Sequence, residues 1–347
     1  MTAIQQAFAA VLDGRSLDAA AAESAVGEIL DGEVPDAVVG GFLIALKLKG
    51  ETTEELAGAV RAMLRRARAV KLGTTELLDT SGTGGDNSYT FNISTGAALI
   101  AAAAGVAVAK HGNRAISGKV GGADVLEHEG VRIDCDPDGL ARCLARAGMC
   151  FIFAPAYQPA LARFAPLRRA LATRTLFNLA GPLCNPAVPA RRLVGVADPR
   201  LVRPVADVLA ALDVEHAMVV RGNDGVDEIS VAAPTHIAQV RRGAAVREYE
   251  IEPRQFGIAL SQGASVKVDD AAGAAMMLRG ALVAGDTAAH HALALNGGAA
   301  IYVGGKAATL AEGIDAARGV IRSGKALAVL DELARASRDE QSAEIAR

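Results

Sequence analysis

The sequence has few of the features that mark nucleic-acid-binding and membrane proteins. It contains no tryptophan, four tyrosines and eight phenylalanines, which leaves little surface for base stacking. Its 36 lysines and arginines are outnumbered by 39 aspartates and glutamates, so the net charge of -3 offers no basic surface for a phosphate backbone. The longest apolar stretch, residues 96–109, is shorter than the roughly 20 residues of a membrane-spanning helix. We therefore expect neither a nucleic acid nor a membrane as partner.

Cysteines and targeting signals are also scarce. The four cysteines, Cys135, Cys143, Cys150 and Cys184, show no CxxC spacing and no histidine at the distance typical of metal fingers. Scattered thiols of this kind are typical of a hydrophobic core, so we expect no disulfide and no zinc site. The first ten residues lack a basic region followed by an apolar run, and we therefore expect a cytoplasmic protein.

Length and periodicity favour two domains of different type. The chain has 347 residues, 51% of them hydrophobic, enough for one large core or two smaller ones. Apolar residues recur at spacings of three and four over residues 2–71, which predicts helices. After Leu72 and Gly73, short β-prone runs alternate with glycine-rich turns and helical patterns, the order typical of an α/β sheet.

We therefore predict an α/β protein with a small N-terminal α-helical domain and a large α/β domain whose mainly parallel central sheet is flanked by helices. The helical domain covers residues 1–72 and is completed by a helical segment near residues 160–185, and the α/β domain covers residues 73–347. The predicted strands are 77–80, 106–109, 150–154, 193–196 and 217–220. The predicted helices of this domain are 94–104, 137–147, 199–212 and 309–323.

The strongest local signal is a glycine-rich turn after the first predicted strand, Ser81-Gly82-Thr83-Gly84-Gly85-Asp86. Glycines let backbone N–H groups approach an anion, and the helix predicted to begin near Asn92 adds partial positive charge. A glycine triplet alone is also consistent with an ordinary strand-to-helix turn. The polar side chains of Asp86, Asn92, Ser94 and Thr95 favour a phosphate or ribose site instead.

The next predicted strand ends in a basic loop, Lys110-His111-Gly112-Asn113-Arg114, which continues through Ser117 and Gly118 to Lys119. Because the carboxyl ends of parallel strands meet at one edge of a sheet, this loop and the glycine-rich turn should line one site. Its cationic side chains suit a polyphosphate. The alternative is that the charges are solvated and that His111 is a structural residue.

A third signal is the adjacent acidic pair Asp227-Glu228, which follows the last predicted strand. Hard oxygen ligands suit Mg²⁺ that bridges phosphate oxygens. Alone, such a pair is most often a surface feature without function. The two phosphate-binding loops predicted elsewhere give it a possible partner.

Five separated motifs, in this order, resemble those of the anthranilate phosphoribosyltransferases over nearly the whole chain. They are Gly82-Thr83-Gly84-Gly85-Asp86, Thr90-Phe91-Asn92-Ile93-Ser94-Thr95, Lys110-His111-Gly112-Asn113-Arg114, Arg174-Thr175-Leu176-Phe177-Asn178 with Gly181-Pro182-Leu183, and Asp227-Glu228. Pyrimidine nucleoside phosphorylases share the architecture but carry a different lysine and Ser-Thr-Gly-Gly signature, which this chain lacks.

The resemblance implies a helical domain hinged to the α/β domain, a homodimer, and a reaction of tryptophan biosynthesis. In that reaction the 5-phosphoribosyl group passes from 5-phosphoribosyl 1-diphosphate to the amine of anthranilate, with release of pyrophosphate and with two Mg²⁺ ions bound. The resemblance also assigns residues. The donor site would comprise Gly82, Gly85, Asp86, Thr90, Asn92, Ile93, Ser94, Thr95, Lys110, His111, Gly112, Asn113, Arg114, Ser117, Gly118 and Gly122. The acceptor site would comprise Gly82, Asn113 and Arg168. The metal ligands would be Ser94, Asp227 and Glu228, and the catalytic residues Lys110, Asp227 and Glu228.

Four positions depart from the usual family pattern. Gly122 stands where family members usually present a serine hydroxyl to the donor. Tyr157 and Gln158 stand where two histidines are common near the acceptor entrance, which changes charge and hydrogen-bond donors. Asn87 replaces a glycine, a mild change because asparagine tolerates left-handed backbone angles. Two alternatives therefore stay open: transfer to a different aromatic amine or acid, and a non-catalytic homologue that binds nucleotides or nucleic acid.

Overall fold

The computed structural model describes residues 1–86, 88–115 and 119–339. Asn87, Ser117 and Gly118, which were singled out from the sequence, lie outside the described residues. The helices are α1 (Ala3–Leu12), α2 (Ala19–Asp31), α3 (Asp36–Lys49), α4 (Thr53–Arg66), α5 (Ile93–Ala103), α6 (Gly122–His128), α7 (Pro137–Ala147), α8 (Ala154–Tyr157), α9 (Pro159–Ala162), α10 (Ala165–Leu171), α11 (Leu176–Ala180), α12 (Val202–Ala211), α13 (Ala271–Ala281), α14 (Ala288–Val303), α15 (Leu310–Arg322) and α16 (Lys325–Arg338). The strands are β1 (Leu77–Gly82), β2 (Ala107–Gly112), β3 (Met149–Phe153), β4 (Arg191–Gly195), β5 (His216–Gly222), β6 (Thr235–Arg241) and β7 (Arg247–Ile251).

Helices α1 to α4 form an N-terminal bundle. Thr52 begins α4 with a capping box in which its hydroxyl accepts from the Glu55 amide and the Glu55 carboxylate accepts from the Thr52 amide. Glu55 is buried, and it also accepts from the Leu17 amide at 2.9 Å and pairs with Lys49 at 3.0 Å. The short helices α9, α10 and α11 pack against the bundle. The bundle therefore contains a segment from the middle of the chain.

The sheet has seven strands in the order β3-β2-β1-β4-β5-β6-β7. Strands β1 to β5 pair in parallel, and β6 and β7 add an antiparallel hairpin at one edge. The predicted mainly parallel sheet is confirmed, and each of the five predicted strands lies within or overlaps one of β1 to β5. The carboxyl ends of β1, β2, β4 and β5 meet at one edge, which is where the predicted site residues lie.

Two apolar cores cover the two faces of the sheet. One contains the buried residues of α5, α14 and α16 with those of β2 and β3. The other joins the N-terminal bundle, α11 and α12 to β4 and β5. All four cysteines are buried, as the sequence predicts, and none is paired with another cysteine among the described residues. Within the described residues, no helix combines the length and the apolarity needed to cross a bilayer.

Candidate active site

A glycine-rich loop follows β1 at the carboxyl edge of the sheet. Gly84 and Gly85 have φ angles of 59° and 71°, a left-handed backbone that glycine adopts without strain. A Cβ at Gly82 would lie 2.7 Å from Oδ2 of Asp227, so glycine lets the loop pass close to this carboxylate. The Gly84 amide donates a hydrogen bond of 2.9 Å to the same oxygen, across 143 residues of sequence. The structure thus brings the glycine-rich turn and the acidic pair together.

Three carboxyl groups converge beside this loop. The Asp227 amide donates to Oδ2 of Asp86 at 3.3 Å, and the Ser94 amide, in the first turn of α5, donates to Oε1 of Glu228 at 3.1 Å. Burial and the neighbouring Asp86 raise the pKa of Asp227 to about 7. Burial and the Asp227 carboxylate raise the pKa of Glu228. A bound cation would relieve this accumulation of negative charge.

The oxygen atoms at this point suit magnesium. Asp227, Glu228 and the hydroxyl of Ser94 are hard ligands, and Mg²⁺ in proteins usually takes one or two carboxylates while keeping water and substrate phosphates. Among the described residues, no group of three or more His, Cys, Asp and Glu side chains could hold a metal by itself. The residues present therefore fit an ion whose remaining ligands are water and a phosphorylated substrate.

Lys110 is a buried cation next to these carboxylates. Its Nζ donates to the carbonyl of Thr80 and, at 3.2 Å, to Oγ of Ser94. Burial lowers the pKa of Lys110, and the carboxylates of Asp79, Glu228 and Asp227 oppose that shift. The ammonium group therefore lies at the junction of β1, β2 and the start of α5, beside the predicted metal ligands.

His111 is held by a buried charged layer that the sequence analysis missed. Its amide donates to Oδ1 of Asp79 at 3.0 Å, and Asp79 lies in register with Arg192 on the neighbouring strand. Burial, Arg192 and Lys110 lower the pKa of His111 to about 3, so its imidazole is neutral. The atoms Asp79 Oδ2, His111 Nε2 and Arg192 Nε are buried without a hydrogen-bond partner. The available signal was a charged residue, Asp79, directly after Leu77 and Leu78 in a predicted strand.

Gly122 leaves room beside an unused hydroxyl. Thr95 is buried and its Oγ1 has no hydrogen-bond partner. A Cβ at Gly122 would lie 3.1 Å from this oxygen, 3.6 Å from Oδ1 of Asn92 and 3.7 Å from Cε of Lys110. Asn92 has a φ of 65° and donates through Nδ2 to the Val120 carbonyl at 3.2 Å. Four of the predicted donor residues therefore lie side by side.

Asn113 and Arg114 shape the loop after β2. The Asn113 carbonyl accepts from the Ala123 amide at 3.2 Å. Arg114 pairs with Glu127 at 2.7 Å, and its guanidinium lies 5.0 Å from the ring centroid of Phe153. The charge of Arg114 is therefore balanced within the chain.

Three other predicted donor residues make packing or backbone contacts within the protein. The side chain of Ile93 is buried in the core, so its backbone alone can face a ligand. Thr90 forms an isolated antiparallel bridge with Lys267. A Cβ at Gly112 would lie 2.7 Å from the ring of Phe151, so glycine permits this close packing.

Arg168 lies on α10, beside the N-terminal bundle. Burial lowers the pKa of its guanidinium, and its Nε is buried without a partner. Among the described residues, no hydrogen bond joins it to Gly82 or Asn113, the other predicted acceptor residues. A half-buried guanidinium whose Nε lacks a partner is a natural receptor for a carboxylate.

Tyr157 and Gln158 use their polar groups inside the protein. Tyr157 is fully buried and its hydroxyl donates to the Cys135 carbonyl at 2.8 Å. The Nε2 of Gln158 donates to the Cys184 carbonyl at 2.9 Å. These departures from the family pattern thus have internal hydrogen-bond partners.

Comparison with known proteins agrees with this architecture. The profile of the glycosyl transferase family helical bundle domain matches residues 5–67, and that of the same family's a/b domain matches residues 74–327. The anthranilate phosphoribosyltransferase of Marinomonas sp. (strain MWYL1) is 42% identical over 95% of this chain and 96% of its own length. That of Thioalkalivibrio sulfidiphilus (strain HL-EbGR7) is 46% identical over 85% of this chain and 87% of its own.

Solved structures of similar proteins have the same fold. The anthranilate phosphoribosyltransferase of Thermus thermophilus is 36% identical, covers 98% of this chain and all of its own, and superposes with a TM-score of 0.90. The enzyme from Saccharomyces cerevisiae, solved in complex with PRPP and Mg, shares the fold at 24% identity and a TM-score of 0.87, covering 96% of this chain and 97% of its own. The family resemblance and the fold class predicted from the sequence are confirmed, and the chain belongs to the anthranilate phosphoribosyltransferase family.

Proposed function

We propose that the chain is a pentosyltransferase that moves the 5-phosphoribosyl group from 5-phosphoribosyl 1-diphosphate to the amine of anthranilate. The products are N-(5-phosphoribosyl)anthranilate and pyrophosphate, and the reaction belongs to tryptophan biosynthesis. The observation that carries the proposal is the convergence of a glycine-rich anion loop, Lys110 and the Asp227-Glu228 pair at one sheet edge. The names of the relatives, which are similar over most of their length, support the same reaction.

The glycine-rich loop and the start of α5 bind the donor. Backbone N–H groups of the loop and of the first turn of a helix are suited to phosphate oxygens. Asp227, Glu228 and Ser94 hold Mg²⁺, and two ions are expected from the family resemblance. Bound magnesium neutralises charge on the donor's phosphates. The donor residues are those assigned from the resemblance above.

The chemistry requires positioning and charge more than proton transfer. The bond from the anomeric carbon to pyrophosphate breaks, the bond to the anthranilate nitrogen forms, and that nitrogen releases one proton. Lys110 stabilises the negative charge that grows on the leaving pyrophosphate. An aromatic amine is neutral and nucleophilic near pH 7, so a strong general base is unnecessary. The neutral His111 shapes the pocket.

Arg168 binds the acceptor's carboxylate, with Gly82 and Asn113 completing the site. The planar fork of arginine matches a carboxylate, and the unpartnered Nε of Arg168 supports this role. Tyr157 and Gln158, which motivated a different acceptor, are engaged in internal hydrogen bonds. We therefore retain anthranilate as the acceptor.

The domain division at residues 72 and 73 is also part of the proposal. The helical domain, completed by residues 160–185, would close over the sheet edge and exclude water that could hydrolyse the donor. A homodimer and a cytoplasmic location rest on the family resemblance and on the sequence.

The test is the loss of anthranilate fluorescence with donor and Mg²⁺, beside a panel of substituted aromatic amines. We expect anthranilate to be consumed when donor and metal are both present and to persist when either is omitted. Negligible turnover of anthranilate, with pyrophosphate released from another panel member, would contradict the proposed acceptor.

A further inference from the structure

The peptide group between Thr83 and Gly84 is held from both sides. Nη2 of Arg174 donates to the Thr83 carbonyl at 2.8 Å, and the Gly84 amide donates to Oδ2 of Asp227 at 2.9 Å. The C=O and N–H of one trans peptide point in opposite directions. Arg174, this single peptide group and Asp227 therefore form a continuous chain of two hydrogen bonds.

The bond from Arg174 involves a permanently charged guanidinium and is stronger than a bond between neutral groups. A rotation of the peptide would turn its N–H toward the guanidinium, so that contact would become repulsive, and it would remove the donor from the Asp227 carboxyl oxygen. Gly84 has little intrinsic preference against such a rotation. The two side chains thus fix a loop that its own glycines leave free.

Arg174 also packs on the next residue of the loop. A Cβ at Gly85 would lie 3.3 Å from the guanidinium carbon of Arg174. Among the described residues, Arg174 forms no ion pair with a carboxylate. The hydrogen bond to the Thr83 carbonyl is therefore the contact that positions the guanidinium of Arg174.

Arg174 belongs to the same segment as Arg168. Only the end of α10 and a short turn, with Ala172 at a φ of 46°, separate the two arginines. The segment packs against the N-terminal bundle, whereas the Thr83 carbonyl lies at the sheet edge. Arg174 therefore contacts the glycine-rich loop, which is assigned to the donor, although it lies only six residues after Arg168, which is assigned to the acceptor.

We propose that Arg174 is a positioning residue for the donor: it fixes the Thr83-Gly84 peptide and, through it, the carboxylate of Asp227. The inference rests on the proposed function, which assigns the glycine-rich loop and Asp227 to the donor and its magnesium. Arg174 lies in the same segment as Arg168, which is assigned to the acceptor, yet we expect the loss of its side chain to impair donor binding.

The kinetic test compares Arg174→Met, Arg174→Lys and, as a control, Arg169→Met, which changes an exposed arginine of α10. We expect Arg174→Met to raise the donor KM about tenfold, as for loss of a charge-assisted hydrogen bond, with the acceptor KM changed by less than about twofold. Arg174→Lys keeps a charged donor and should recover part of the loss. The control should leave both KM values unchanged. A rise in the acceptor KM alone, or no change in either, would overturn the proposal.

A second readout does not depend on activity. The sequence contains two Thr-Gly pairs, Thr83-Gly84 and Thr95-Gly96, so isotope labels on threonine carbonyl carbons and glycine amide nitrogens give two NMR signals. Gly96 donates to the Asn92 carbonyl at 3.3 Å in α5 and serves as the internal control. We expect hydrogen exchange at Gly84 to be slow in the wild type and about tenfold faster in Arg174→Met, with Gly96 unchanged. Unchanged hydrogen exchange at the Gly84 amide would overturn the proposal.

The two readouts separate the inference from the proposed function. If the wild type is active but Arg174→Met changes neither the donor KM nor the hydrogen exchange at Gly84, the inference is refuted and the proposed function is not. A wild type inactive with every acceptor refutes the proposed function and, with it, the donor role of Arg174, even where Gly84 behaves as expected.

Discussion

The guanidinium of Arg168 is the group on which acceptor binding depends in this account. Its Nε is buried without a partner, so a substrate carboxylate would satisfy it. We expect Arg168→Ala to raise the acceptor KM by a factor equivalent to about 2 to 4 kcal/mol, the penalty of an unpaired carboxylate, with little change in the donor KM. Steady-state kinetics with each substrate varied in turn measures both constants. An unchanged acceptor KM would remove Arg168 from the pocket.

Asp227 combines its proposed role as a metal ligand with a stability penalty. Its folded-state pKa of about 7 lies above the roughly 3.9 of an unfolded aspartate, so its contribution to stability falls as pH rises between these values. The stability of the metal-free Asp227→Asn protein relative to the wild type should therefore be greater at pH 8 than at pH 5, by about 3 kcal/mol, yet the variant should turn over more slowly. Urea unfolding at pH 8 and pH 5 tests this, because the advantage should shrink at pH 5. Equal differences at both pH values would contradict it.

Gly122 is the residue at which a family contact can be restored. An added Cβ would lie 3.1 Å from the unpartnered Thr95 hydroxyl, so a small shift of Thr95 is needed. We expect Gly122→Ser to lower the donor KM about threefold through a new hydroxyl contact. Gly122→Ala adds the same Cβ without the hydroxyl and should not lower it. Identical donor KM values for the two variants would show that the missing hydroxyl is irrelevant.

The residues of the site differ in how visible they are from sequence. Gly84, Lys110 and Asp227 stand in short motifs at strand ends, and the structure brings them together. Arg174 acquires its position through a contact with Thr83 that spans 91 residues. Asp79 and Arg192 matter because neighbouring strands place them in register. Local pattern cannot show such pairings.

The contact between α14 and α15 depends on glycine. A Cβ at Gly298 would lie 2.5 Å from Cα of Ile314, so the helices would have to separate. We expect Gly298→Ala to lower the free energy of unfolding by about 1 to 3 kcal/mol through overpacking. Gly319, on α15, has open space around it, and Gly319→Ala should be neutral or raise stability by up to about 1 kcal/mol. Urea denaturation of both variants provides the comparison, and equal effects would argue against the close packing.

Three of the elements that were not predicted, α14, β6 and β7, lack the periodicity on which prediction depends. Helix α14 is buried on nearly all sides, so it has no polar face and no clear helical pattern. Strand β7 is largely exposed and β6 carries polar side chains such as His236 and Gln239. An antiparallel edge hairpin does not show the continuous apolar run of a buried parallel strand. Strands β3 and β5 show such runs, and all of β1 to β5 were predicted.

For the whole molecule, buried neutral histidines predict acid sensitivity. His216 is fully buried, and burial together with Arg241 lowers its pKa to about 3. Because an unfolded histidine titrates near pH 6.5, stability from this group is present above that pH and is lost as pH falls toward 3. Between pH 7 and pH 5, His216→Gln should lose about 2 kcal/mol less stability than the wild type. Urea unfolding at both pH values tests this, and parallel losses would show that His216 is not the cause.

The overall fold could be predicted from the sequence because the two domains differ in the spacing of their apolar residues. The helical spacing of residues 2–71 and the later alternation of strands and helices fixed the fold class. The extension of the second apolar core to the sheet was not accessible, because it joins Phe42 of the bundle and Phe177 of α11 to Val194 of β4. Such continuity between distant segments is a property of the folded chain.

In the proposed reaction, this sheet edge joins a phosphoribosyl group to the amine of anthranilate. Anthranilate and pyrophosphate can be followed together in one reaction that contains 5-phosphoribosyl 1-diphosphate and Mg²⁺. We expect one pyrophosphate to appear for each anthranilate consumed, and we expect the Asp227→Asn, Glu228→Gln double variant to slow both together. Pyrophosphate released without loss of anthranilate would contradict the proposed activity, because it would mean that the donor reacts with water or with another acceptor.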